Sequence, residues 1–435
     1  MRIRLLCLIF LFFMFEACKH PSASGSGYAP GSFGYDLHFL SARDSVIVLS
    51  SGSSSVIVSP KYQGKVFTST ALGDSGRSFG WIHYKAFDGP LDPHMNAYGG
   101  ENRFWLGPEG GPFSLFFSPG AKMEFANWKT PAAFDTEGWD VVGTSAAVAD
   151  SSAGSGSSAS PGSSAAAGLS SVELRKDMQL VNYAGTRLSL TIDRKIDILD
   201  RLFIDFSLGL DHPSPLDSSV AAVGYTTVNT LTNTGGQPWT EATGMPCMWL
   251  LDMFPPSPST TIIIPYSVGD GSKPATTDYF GEIDSSRIHF SDGILRFVAD
   301  GKSRGKLGIH PSRVKPFAGS YDAEHHVLTI IQFDVAFSVP AGPASGGTSD
   351  RYLNQEWRTD RPPFSGDAMN AYNDGPLATG GQMGPFYELE SVAPAAFLMP
   401  GGKQVHRHAV FHFTGAPEAL DAICRKVLGT GIAGH

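Results

Sequence analysis

The sequence predicts an all-β protein, a sandwich or a barrel, and three observations carry that expectation. Runs of strand length rich in β-branched and aromatic residues recur along the chain. Several of them alternate apolar with polar residues, the period of a half-buried strand. Glycine and proline collect between the runs, where turns and loops belong.

The first residues read differently. Arg2 and Arg4 precede an almost unbroken apolar run, Leu5 to Phe15, too short to span a bilayer and followed at once by polar sequence. This predicts a signal peptide over residues 1–18. It ends in Phe15-Glu16-Ala17-Cys18, a lipobox-like sequence in which Cys18 is expected to become the lipidated N-terminus and anchor the chain to a membrane, with ordinary cleavage and release as the alternative. Residues 19–34, rich in Ser, Gly and Pro, suit a flexible tether. Residues 35–435 are expected to form a single β domain, exported and held in the periplasm or at the outer-membrane surface.

Within that domain, Ser45 to Leu49 and Ser55 to Val58 are β-branched runs separated by a Ser/Gly turn. Similar strand-like segments recur at Arg187 to Ile192, Leu202 to Leu208, Tyr225 to Leu231, Thr260 to Pro265, Val327 to Phe337 and Ala409 to Phe413. The one clear helix is terminal: it starts at Pro417, and Gly429 closes it after Leu428. The Ser/Ala/Gly stretch 144–171 reads as a disordered insertion, because strand-like sequence resumes directly after it.

Composition excludes some partners. A net charge of −9 with no clustered basic face argues against nucleic acid. Of four cysteines, only Cys247 and Cys424 lie beyond the signal and its cleavage point, and spacing does not say whether they pair. No CxxC or HExxH spacing suggests zinc, and neither metal nor cofactor is expected.

Two segments carry candidate chemistry. In Gly99 to Gly111, the triplet Glu101-Asn102-Arg103 is followed by Phe104-Trp105 and flanked by glycines. Glycine admits a ligand close to the backbone, aromatic rings suit the C–H face of a sugar, and Arg103 offers a fork of donors to hydroxyls. In Tyr387-Glu388-Leu389-Glu390-Ser391, alternation puts Glu388 and Glu390 on one strand face, where neighbouring carboxylates raise each other's pKa. His406 and His408 share a face in the same way, so imidazole and carboxylate could meet on adjacent strands. A near-repeat joins the two regions: Met95-Asn96-Ala97-Tyr98 is echoed by Met369-Asn370-Ala371-Tyr372, the second copy leading to Asp374. The stretch Lys302 to Ile309, with three basic residues, suits a solvated hairpin turn better than a site for an acidic sugar group.

These pieces resemble the aldose 1-epimerases, or galactose mutarotases. Leu389-Glu390-Ser391, the turn Pro400-Gly401-Gly402 and the strand ending Val410-Phe411-His412-Phe413 are similar to the C-terminal part of that family. Asn102-Arg103 resembles its early Asn-Arg pair, and Thr230-Leu231-Thr232-Asn233-Thr234 its central strand. The resemblance implies a large two-sheet antiparallel β-sandwich, with Glu390 as general base and Arg103 on sugar hydroxyls. The family's general-acid His has no counterpart: Met245 to Phe254 holds Trp249 and Asp252 instead, and an indole cannot act as an acid. His406, His408 or Asp374 are the alternatives for that proton. The Glu101 to Gly111 segment also resembles that of an uncharacterised group of exported bacterial lipoproteins.

The expected function is carbohydrate binding in the cell envelope, with mutarotase-like chemistry as one outcome. Glu390, His406 and His408 are then the candidate catalytic residues, and Glu101, Asn102, Arg103, Trp105, Trp249, Asn370, Asp374 and Glu388 the candidate sugar contacts. A non-catalytic glycan-binding lipoprotein is a second reading. A lyase or hydrolase is a third, and hydrolysis would pair Glu390 with Glu101 or Glu109.

Overall fold

A computed structural model describes residues 27–146, 168–211, 219–269, 271, 273–335, 351–377 and 380–433. The expected signal peptide, Cys18 and most of the expected tether lie outside these residues. Helix α1 (Phe33–Ser41) precedes β1 (Ile47–Ser51), β2 (Ser54–Ser59) and β3 (Lys65–Thr70). Next come β4 (Arg103–Gly107), β5 (Asp140–Ala146), β6 (Leu169–Val181), β7 (Arg187–Ile198), α2 (Arg201–Leu208) and β8 (Val220–Asn233). The chain continues through β9 (Cys247–Phe254), β10 (Thr260–Pro265), β11 (Ala275–Thr276), β12 (Ile288–Ser291), β13 (Ile294–Val298) and β14 (Gly305–Ile309). It closes with β15 (Phe317–Asp322), β16 (Val327–Phe333), β17 (Met369–Asn373), β18 (Tyr387–Val392), β19 (Lys403–Gly415) and α3 (Pro417–Leu428).

The strands form two sheets. The larger runs β12-β13-β10-β15-β16-β19-β8-β7-β6-β1-β2-β3, with β5 paired to β6, and the smaller runs β11-β14-β17-β18-β9-β4. Pairing is antiparallel throughout except where β1 meets β6. The all-β sandwich expected from the sequence is what forms. Its inner faces share one apolar core, to which β7 contributes Leu188, Leu190, Ile192 and Ile196, and the smaller sheet Phe104, Leu106, Leu250 and Leu389. The outer face of the larger sheet is covered by α2 and α3, with Ile204, Leu420 and Ile423 packed on Phe411 and Phe413.

Three local expectations change. Leu202 to Leu208 is helical, because Asp200 caps its first turn by accepting from the Phe203 N–H at 2.9 Å and Gly209 ends it in the left-handed region. The expected tether already gives way to α1 at Phe33. The ends of the low-complexity stretch are strand, with Thr144 opposite Val172 and Ser145 opposite Ser171, while residues 147–167 lie outside the described residues. Cys247 and Cys424 are free thiols, the first between the sheets and the second in α3. No helix of the described residues is long and apolar enough to cross a membrane.

A buried polar seam interrupts the apolar core. In the inward row of β7, Arg194 replaces an apolar residue and donates to Asn229 Oδ1 at 2.7 Å, to the Gly64 carbonyl at 3.1 Å, and to Asn102 Oδ1. Asn102 donates in turn to Asp252 Oδ1 at 2.5 Å. Asp252 Oδ2 lies 2.7 Å from His408 Nε2, and Ser391 Oγ lies 2.8 Å from His408 Nδ1 and 2.9 Å from His406 Nε2. One placement of protons satisfies this chain: His406 donates to Ser391, Ser391 to His408, and His408 to Asp252. Burial pushes His406 down to about 3, with the neighbouring His408 adding to the effect, so it stays neutral.

Candidate functional site

The outward face of the smaller sheet is the floor of a cavity of about 440 Å³, within the usual range for small-molecule sites. Strand alternation decides which side chains reach it. On β18, Tyr387, Leu389 and Ser391 turn toward the larger sheet, where Tyr387 Oη is 2.7 Å from Ser320 Oγ, while Glu388 and Glu390 turn the other way. By the same period, β4 presents Arg103 and Trp105 and β9 presents Trp249, Leu251 and Met253. Lys306 of β14 and Tyr372 of β17 complete the floor. In register, Lys306 sits opposite Tyr372, Tyr372 opposite Glu388, and Glu390 opposite Leu251, which is itself opposite Arg103.

Two ion pairs cross this floor. Arg103 meets Glu388, and Lys306 Nζ meets Glu390 Oε2 at 3.0 Å. The Trp249 indole N–H also donates to Glu390 Oε2, at 2.9 Å, and the Lys306 ammonium lies 4.7 Å from the Trp249 ring centroid. Glu390 is therefore sealed beneath the floor, with no exposed surface. Glu388, in contrast, lines the cavity. Burial pushes its carboxyl up, to about 8; Arg103 opposes the shift and the neighbouring Glu390 adds to it. Burial would lower Lys306, but Glu390, Glu109 and Glu388 outweigh it and hold its ammonium above its ordinary value.

Loops build the walls. His83, His94, Met95 and Asn96 come from one side, Phe125 and Trp128 from another, and Trp357, Phe280, Met383 and Phe386 close the rest. Trp128 stacks on Phe116 and Trp357, giving a rigid aromatic wall. The glycine-rich segment after β4 matters here: a Cβ on Gly110 would lie 2.0 Å from the Glu356 carbonyl oxygen. Glycine thus lets this loop pack against the strand of chain that carries Trp357.

The candidate residues separate into groups. Arg103, Trp105, Trp249 and Glu388 converge on the cavity. Trp105 and Trp249 are only 5% and 2% exposed, however, because Arg103 and Lys306 lie against their rings, so little indole face remains for stacking. The ring faces left open belong to Phe125 at the mouth, 62% exposed, and to the half-buried Trp357.

His406 and His408 do not face the cavity. They project from β19 into the space between the sheets, each about 1% exposed, and Asn102 joins them in the polar seam. Glu101 is also turned inward, where Ser69 donates to it at 2.6 Å and His412 Nε2 lies 3.1 Å away. Asn370 shares the face of Glu390 but is covered, 3.4 Å from Tyr279 Oη. Asp374 is committed to Tyr372 Oη at 2.6 Å and the Gly384 N–H at 3.0 Å. Glu109 is half-buried on the cavity wall, and burial raises its carboxyl.

Sequence reasoning underrated Lys306 and missed Trp128, Trp357 and Phe280. The stretch Lys302 to Ile309 is no solvated hairpin turn: β14 lies inside the smaller sheet and Lys306 is 6% exposed. The signal was present in Gly305-Lys306-Leu307-Gly308-Ile309, which reads as a short strand once its alternation is counted. Among the described residues no cluster of three or more His, Cys, Asp or Glu side chains is placed to hold a metal ion.

Fold and site together define an antiparallel β-sandwich with an aromatic-walled, carboxyl-bearing cavity on its smaller sheet. The chain belongs to the family described as "Family of unknown function (DUF6786)", which matches residues 31–153 and 163–434. No curated protein matches it. Solved structures similar to it include the Slr1438 protein of Synechocystis sp. PCC 6803, at 13% identity and a TM-score of 0.47, covering 86% of this chain and 97% of that one. A putative aldose 1-epimerase of Escherichia coli K12 is similar at 14% identity and a TM-score of 0.42, covering 85% and 98%. A galactose mutarotase-like protein of Lactobacillus casei is similar at 11% identity and a TM-score of 0.43, covering 84% and 99%. At such identities and TM-scores nothing about chemistry transfers, and the site must speak through its own residues.

Proposed function

We propose that this protein binds a carbohydrate in the cavity over its smaller sheet, with Glu388 and Arg103 as the polar contacts on the floor. One observation supports this most: a cavity of about 440 Å³ has aromatic walls and a carboxyl–guanidinium pair on its floor. Aromatic faces suit the C–H side of a pyranose, and a carboxyl beside a guanidinium offers acceptor and donor to adjacent hydroxyls. Titration of purified protein with a panel of mono- and disaccharides, followed by calorimetry, tests it. Saturable binding that weakens about tenfold or more in Glu388→Gln supports the proposal, and no binding by any sugar sinks it.

A second reading, acid–base chemistry on the bound sugar, is favoured by Glu388 being pushed up to about 8. A carboxyl protonated near neutral pH can give a proton to a ring oxygen, the role for which no histidine lies at the cavity floor. Glu388 takes the proton-donor role for which His406, His408 and Asp374 were the candidates, and Glu390, the expected base, is sealed under Lys306 and Trp249. Anomeric exchange followed by NMR separates the two readings. A rate above background that is lost in Glu388→Gln favours chemistry, and an unchanged background rate leaves binding alone.

The N-terminal sequence adds an envelope location to the proposal, with Cys18 as the lipid-bearing residue. Mass spectrometry of the mature N-terminus tests this part: an acylated Cys18 supports it, and an unmodified chain starting elsewhere removes it.

A further inference from the structure

Three cations line the cavity, and two of them are matched. Arg103 pairs with Glu388 and Lys306 with Glu390. The third, Arg304, precedes β14 and is half-buried at the rim. Its guanidinium carbon lies 3.9 Å from the Phe280 ring centroid, and its Nε donates to Tyr372 Oη at 3.2 Å. Tyr372 is fixed in turn by Asp374. Among the described residues no carboxylate comes within ion-pairing distance of Arg304, and no partner takes its two terminal nitrogens.

This is a pre-organised cation. The ring beneath it and the hydroxyl at Nε hold the guanidinium in one orientation, so little further side-chain entropy is lost when a ligand docks. The free edge presents two parallel donors, the geometry that a carboxylate accepts in a bidentate pair.

Charge count selects among oxyanions. Among the described residues Arg304 is the one cation of the cavity without an ion-pair partner, and a single carboxylate completes its pairing. A phosphate ester, carrying about −1.5 to −2 at neutral pH, would bring excess negative charge into a cavity that also presents Glu109 and Asp92. We therefore propose that the sugar bound here carries a carboxylate, as a hexuronate does, and that Arg304 is the residue that selects it. This deepens the carbohydrate reading and rests on it.

The test compares a hexuronate, the matching neutral hexose and the matching hexose 6-phosphate by calorimetry, on the wild-type chain, Arg304→Gln and Arg304→Lys. The hexuronate is expected to bind about tenfold or more tighter than the neutral sugar. Arg304→Gln should collapse that ratio toward one, and Arg304→Lys, which keeps charge and loses the fork, should recover part of it. Raising salt should weaken the hexuronate more than the neutral sugar. Equal affinity for hexuronate and hexose would overturn the carboxylate assignment and leave sugar binding intact. Preference for the 6-phosphate over the hexuronate would overturn it as well. Failure of all three sugars to bind would remove both the assignment and the reading under it.

Discussion

Arg103 and Glu388 reach each other across β9, from strands that are not neighbours in the sheet. Leu251 and Met253 of the intervening strand stand opposite them in register, and the two long side chains close over it. The pair is almost wholly buried, Arg103 at 6% exposure and Glu388 at 7%.

Breaking a buried pair on one side strands the other charge, which costs more than the pair contributes. Glu388→Leu, which strands the Arg103 guanidinium, is expected to destabilise the protein by about 3 kcal/mol, and adding Arg103→Leu should restore more than half of that loss. Urea unfolding of both single variants and the double variant measures this. Losses that simply add would show that the two side chains act independently.

Glu388 also sets a pH dependence. Its carboxyl is raised from 4.5 to about 8, so its contribution to stability is complete below pH 4.5 and is lost as pH rises through 8. Asp36 and Asp367, raised to about 6, act in the same direction at lower pH. His406, lowered from 6.5 to about 3, acts the opposite way but only below 6.5. Between pH 6.5 and 8 Glu388 should therefore contribute a falling unfolding free energy, with a slope approaching but not exceeding about 1.4 kcal/mol per pH unit for one proton, against the opposite trend from Lys65, which burial holds well below its ordinary value. Glu388→Gln should flatten that window. A window equally steep in the variant would assign the titration to another group.

The polar seam and the cavity are separable by mutation. Ser391→Ala leaves His406 Nε2 and His408 Nδ1 without their shared partner. A cost of about 1–3 kcal/mol is expected in thermal or urea unfolding. Sugar affinity should stay within about twofold, since Ser391 faces away from the cavity. A large loss of affinity with unchanged stability would show that the seam communicates with the floor.

Much of this architecture was legible because strand alternation is a local property. Two residues spaced i, i+2 share a face whatever surrounds them, so Glu388 with Glu390 and His406 with His408 were correctly paired by side. Which side meets the core is a different question, and local sequence does not answer it. His406 and His408 point inward because Ser391 and Asp252, distant in sequence, supply partners for buried imidazoles. The same limit hid the fate of Glu390, since Trp249 comes from the adjacent β9 and Lys306 from β14, one strand beyond β17 on the other side. Leu202 to Leu208 failed for another reason: its apolar residues suited either period, and the decisive signals were Asp200 and Gly209 just outside the run.

The β5–β6 hairpin has a practical consequence. Ser145 and Ser171 face each other in register, so the two ends of whatever joins them are held one strand spacing apart by the ladder itself. Among the described residues β5 pairs only with β6, and it is largely solvent-facing. Because each doubling of a flexible closing loop adds only about 0.6 kcal/mol, this is a natural port for grafting. An affinity tag or a small fluorescent domain inserted between these ends would decorate the sandwich at a point separate from the cavity floor. It would give a handle for following the protein in the cell while both its termini stay untouched.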